Sequence, residues 1–190
     1  LKKLVKKGRY GYLKQQKILA FLGILLMILL GALIFITGIL INKGSYKSAF
    51  TVIAILAVLP MAKMAVRLII LFPQKSVSEE EDNEVRDIAG EEADVFSSVV
   101  ITSEEKIMHI DHIVLRSGNC MVLASQNEKN FDYIQEYLTK GVRNWSKSFR
   151  IFITKDRKKY ITELKGMKDH EDISEREENN VFDYVTSLMV

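Results

Sequence analysis

Apolar positions along this chain fall into two long blocks, followed by a region where they recur at the short periods of helices and strands. Ile18–Ile41 runs 24 residues without a charge. At a rise of ~1.5 Å per residue it would span about 36 Å, enough to cross a hydrocarbon core of about 30 Å with some tilt. The run exceeds the apolar stretch of a signal peptide, and no small-x-small cleavage site follows it, so a retained transmembrane helix is expected. The second block, Ala49–Phe72, is apolar to Ala62 and is then interrupted by Lys63 and Arg67. Pro60 lacks a backbone N–H, which predicts a kink or a loosened turn. Lys63 and Arg67 share a helix face. They either snorkel to the nearer interface, which their shallow depth favours, or pair with a partner subunit or lipid headgroup.

Beyond Pro73 the pattern shortens. Pro73–Asn83 is polar, acidic and aperiodic, and reads as a linker (residues 73–83). A domain over 84–190 follows. Val85, Ile88, Val95 and Phe96 form one helical stripe. Ser97–Thr102 and Ile107–Leu115 read as strands, and the turn Ser117-Gly118-Asn119 leads to a third strand, Cys120–Ala124. Phe131, Ile134, Leu138 and Val142 mark a helix expected to stop near Gly141. Phe149–Thr154 is a strand, and Tyr160, Ile161, Leu164 and Met167 mark a helix. Gly166–Asn180 reads as a charged loop, and a last short helix would start at Val181 with Asn179 or Asn180 as its cap. The order αβββαβα predicts an α/β sandwich around one mixed sheet, attached to an α-helical membrane hairpin (18–41 and 49–72).

Charge orients that hairpin. Residues 1–17 carry seven Lys or Arg and no acid, whereas the connection between the apolar blocks has only Lys43 and Lys47. The positive-inside rule puts both termini in the cytoplasm and the chain in the plasma (inner) membrane. The basic arm, residues 1–17, would lie against anionic inner-leaflet lipids. Residues 76–190 hold 15 Lys and Arg against 24 Asp and Glu, a net of −9, which argues against nucleic acid as the partner. Two helices without an acidic residue would enclose a channel only as a homo-oligomer.

One stretch carries a more specific likeness. His109–Asn127, HIDHIVLRSGNCMVLASQN, preceded by Gly90-Glu91-Glu92, resembles the nuclease-related domain (NERD) family, and the element order is similar to the PD-(D/E)xK, restriction-endonuclease-like core. In that family an Asp on the second strand and a Glu on the third bind metal, and a Lys two residues on orients the attacking water. Residues two apart share a strand face, hence Glu-x-Lys. The resemblance puts Asp111 at the Asp position, Ala124 at the Glu position and Gln126 at the Lys position, with Glu91 from the motif or Glu92 from helical periodicity as the helix carboxylate. It thus implies the fold with a degenerate site and no hydrolysis, metal or cofactor.

Other constellations are weaker. In His109-Ile110-Asp111-His112, only His109 and Asp111 share a regular strand face, too few for a metal. Cys120 sits in an apolar run and reads as core. Lys140–Lys168 holds ten Lys and Arg (Lys140, Arg143, Lys147, Arg150, Lys155, Arg157, Lys158 and Lys159 among them), interleaved with Trp145, Phe149 and Tyr160. This is either an anion-facing patch or a solvated face balancing the acidic stretches. Three functions follow as expectations: a membrane-anchored scaffold whose pseudo-nuclease domain binds an unknown protein partner; a membrane-tethered, metal-dependent nuclease or phosphodiesterase with a relocated lysine; or a small subunit of a transport or secretion complex.

Overall fold

The computed structural model describes residues 8–43, 45–170 and 173–190. It divides into two compact units, one spanning Lys14–Pro73 and the other built on Gln74–Val190 with the stretch before Lys14.

In the first unit, α1 (Tyr12–Ile41) and the pair α2 (Ala49–Leu56) and α3 (Val58–Leu71) are long and apolar enough to cross a membrane. Almost none of either stretch is buried. The core helix of a soluble protein would instead have its apolar face covered. α2 and α3 separate at Ala57. Pro60 has no N–H to give to the Leu56 carbonyl, so the turn loosens where the sequence predicted. α1 begins six residues before the apolar block, because Tyr12–Lys17 contains residues that favour helix and nothing that breaks it. Gly23 faces Met64, Gly31 faces Ala57 and Gly38 faces Phe50. The glycines therefore seat α1 against α2 and α3 without GxxxG spacing.

The second unit contains α4 (Glu79–Ala89), β1 (Asp94–Thr102), β2 (Ile107–Arg116), β3 (Asn119–Ala124), α5 (Phe131–Trp145), β4 (Arg150–Thr154), α6 (Arg157–Lys165) and α7 (Glu175–Leu188). The sheet order is β1-β2-β3-β4. The first two pairings are antiparallel, and β3 pairs with β4 in parallel through the α5 crossover. On one face Ile101, Ile110, Ile113 and Val122 pack with Ile134 and Leu138 of α5 and Val181 and Val185 of α7. On the other, Val114, Met121 and Leu123 pack with Val85 and Ala89 of α4 and Tyr160 and Leu164 of α6. This is the expected α/β sandwich with a mixed sheet.

Four local expectations are corrected. The acidic linker is much shorter than 73–83, because Ser78 and Glu81 form a reciprocal capping box that starts α4 at Glu79. Val95 and Phe96 lie on β1, not on a helix. α5 runs through Gly141 to Trp145, since that glycine makes room for the Tyr184 ring of α7 rather than ending the helix. α7 starts at Glu175, six residues early, on a second capping box between Ser174 and Glu177. The N-terminal arm was expected to lie on lipid. Its residues 1–7 fall outside the described ones, but Gly8 accepts a hydrogen bond from Ser97 N–H at 2.7 Å, on the edge of β1. Gly8 has φ 76°, and a side chain there would strike Phe96.

Candidate functional site

Asp111 sits where the sheet loses its regular step. β2 pairs Ile110 with Ala124 and His112 with Leu123, so Asp111 is an extra residue relative to β3. Opposite it on β1, Ser98 also drops out of the pairing and takes a left-handed φ of 55°. For a residue with a Cβ that conformation costs about 1–2 kcal/mol. The bulge has a geometric consequence: Ile110 and Ile113 both face the α5–α7 side, so Asp111 and His112, adjacent in sequence, both face the α4–α6 side. A regular strand would have turned His112 away, as the sequence reading assumed.

The polar groups gathered there come from several elements. The Asp82 carboxylate of α4, 3% exposed, pairs with Arg86 at 2.7 Å and accepts the Ser97 hydroxyl proton. Ser97 Oγ lies 3.2 Å from His112 Nδ1. With its only proton given to Asp82, Ser97 accepts from Nδ1–H, which leaves His112 Nε2 with a lone pair. Burial holds the imidazole neutral, its pKa lowered to about 4 against the pull of Asp82 and Glu81. The ring stacks on Tyr160, whose fully buried hydroxyl has no hydrogen-bond partner among the described residues. Asp111 accepts hydrogen bonds from Ser125 and Gln74, yet burial, with repulsion from Glu81, raises its pKa to about 6. Gln74, 2% exposed, also donates to the Ile110 carbonyl at 3.3 Å.

Asp111 and His112 line a pocket of about 310 Å³ with Glu81, Gln126, Lys155 and Arg157. Arg157 is committed to Glu81 at 2.5 Å and Glu84 at 2.6 Å. Lys155 Nζ donates to the Glu128 carbonyl at 2.5 Å and lies 5.2 Å from the Phe131 ring centre.

The structure redistributes the residues singled out from sequence. Asp111 and Gln126 meet at the pocket. Ala124 does not, because it points into the core on the opposite face with Ile110. The residues beside Asp111 are Leu123 of β3, on the pocket wall, and Ser125, just past the end of that strand, on the Asp111 carboxylate. Glu91 and Glu92 lie in the turn after α4, not on the helix, and line other depressions: Glu91 near Arg9 and Arg86, Glu92 near Asp94 and Arg116. The helix carboxylate felt by Asp111 is Glu81, in the acidic stretch whose composition reads as linker. Among the described residues no three His, Cys, Asp or Glu side chains converge as a metal-ligand set.

The basic stretch is scattered. Lys140 and Arg143 are on α5, Lys147 is in the following loop, Arg150 on β4 is paired with Glu163 at 2.8 Å, and Lys158 and Lys159 are exposed on α6. Lys63 and Arg67 are both on α3. Cys120 is buried, with its thiol pushed up to about 12, as suits a core residue. Ser97, Ser98, Glu81, Asp82 and Gln74 were missed. Only the Ser78-x-x-Glu81 capping signal could have placed any of them, by starting α4 early enough to carry Glu81 and Asp82. The chain matches no family model, no curated protein and no solved structure.

Proposed function

We propose that this chain is a membrane-anchored binding module: a two-helix hairpin with both termini in the cytoplasm, carrying a nuclease-like α/β domain that binds a ligand rather than cleaving one. The observation that carries the reading is the side-chain content of the pocket. Phosphodiester hydrolysis of this kind needs a second metal carboxylate and a cation two residues apart on the strand beside Asp111. Beside Asp111 stand Leu123 of β3 and Ser125, just past that strand's end, and neither is a carboxylate or a cation. Of the two cations lining the pocket, Lys155 is tied to a backbone carbonyl and Arg157 to Glu81 and Glu84. What remains is a polar, partly desolvated pocket built on a strained bulge, a feature that recurs at binding sites.

The test uses the full chain in detergent, with single- and double-stranded DNA, RNA and bis(p-nitrophenyl) phosphate, in Mg²⁺ or Mn²⁺. The expected rate equals that of Asp111→Asn. Metal-dependent cleavage abolished by Asp111→Asn would replace the binding module with a phosphodiesterase.

A further inference from the structure

The pocket contains one anion and one cation that the domain leaves uncompensated. Among the described residues neither Asp111 nor Lys155 forms an ion pair, whereas Glu81 and Arg157 neutralise each other. A desolvated carboxylate without a cation is unfavourable, and the missing charge is a natural place for a ligand. His112 lines the same pocket, and with Nδ1–H given to Ser97 its Nε2 keeps a lone pair as a second acceptor. The same pocket is lined by Lys155, which retains two ammonium protons, and by Gln126, which brings a side-chain amide from a different segment. Acceptors and cationic or amide donors lining one pocket ask for a ligand that carries both a proton-bearing cation and an anion. A volume of about 310 Å³ sets its size at a few heavy atoms to a small metabolite.

We propose that this pocket binds a small zwitterion, with a primary ammonium on Asp111 and His112 and a phosphate on Lys155 and Gln126: the chemistry of phosphoethanolamine, free or as the headgroup of an aminophospholipid. A tetrahedral phosphate can accept from donors on two segments at once, and a primary ammonium has protons for both acceptors. The inference rests on the pocket being a binding site, and it names the ligand class.

Titration calorimetry of the full chain at pH 7.5, in maltoside detergent or phosphatidylcholine nanodiscs, tests it. Phosphoethanolamine is expected to bind. Phosphocholine, whose quaternary nitrogen has no proton to donate, should bind at least about tenfold more weakly. Asp111→Asn and Lys155→Met should each weaken phosphoethanolamine by about tenfold or more with the domain still folded by its unfolding midpoint, while Lys159→Met leaves it unchanged. Adding phosphatidylethanolamine to the nanodiscs separates the sources: competition with the free compound identifies the headgroup, and its absence identifies the soluble zwitterion. Absence of binding in both settings, equal binding of phosphocholine, or wild-type affinity in both variants overturns the proposal. Absence of binding without cleavage activity removes only the ligand assignment, whereas cleavage removes the binding-module reading itself.

Discussion

Asp111 and His112 are displaced from their ordinary pKa values in opposite directions, and the pH dependence of stability separates them. For Asp111, 3.8 becomes about 6 in the fold. Between those values the native state holds a proton that the unfolded chain has released, so stability falls as pH rises through that window and stays lower above it. For His112, 6.5 becomes about 4. There the unfolded chain holds the extra proton, so stability falls as pH drops from about 6.5 towards 4. Each displacement is worth roughly 3 kcal/mol, and in the wild type they largely offset between pH 4 and 6. Asp111→Asn should therefore stabilise the domain by about 1–3 kcal/mol at pH 7.5. It should also expose the histidine alone, giving weaker stability at pH 5 than at pH 7. Urea unfolding followed by the sole tryptophan, Trp145, measures both. A resemblance pointed to Asp111 from sequence, but nothing pointed to its setting. A bulge is a mismatch between neighbouring strands, and one strand read alone does not reveal it.

At the scale of elements, the starts of α4 and α7 are written in the chain as Ser-x-x-Glu, a signal that the surrounding acidic runs mask because such runs resemble loops. Ser174→Ala should remove the α7 box and cost about 1 kcal/mol. Amide exchange should quicken first in the opening turn of α7. Gly141 shows the reverse error, a helix-stopping residue inside a helix. Its cost of about 1 kcal/mol relative to alanine is outweighed by the packing of Tyr184 onto the bare backbone. Gly141→Ala should thus destabilise by about 1–3 kcal/mol, despite alanine's better helix propensity. A double-mutant cycle with Tyr184→Ala should recover a substantial part of that loss.

For the whole molecule the strongest statement concerns orientation. If the basic residues before α1 hold that end inside, Ser45→Cys is labelled by an impermeant maleimide on intact cells. Asn127→Cys, exposed on the α/β domain, is labelled only after permeabilisation. Cys120 is 1% exposed and gives no background. Labelling of position 127 from outside would reverse the topology and the cytoplasmic assignment with it.

The amino-acid sequence by itself determined the two apolar helices, the break near Pro60, the strand–helix order and the mixed α/β class. Each of these follows from periodicity and composition along one segment, which local chemistry dictates. The tertiary structure alone decided that Asp111 and His112 share a face, that Ala124 turns into the core while Leu123 and Ser125 stand beside Asp111, and that Glu81 and Lys155 reach the same pocket. Those facts depend on how β2 steps past β3 and on which helix covers that face of the sheet. Register and coverage arise from packing between distant segments, and no local pattern encodes them.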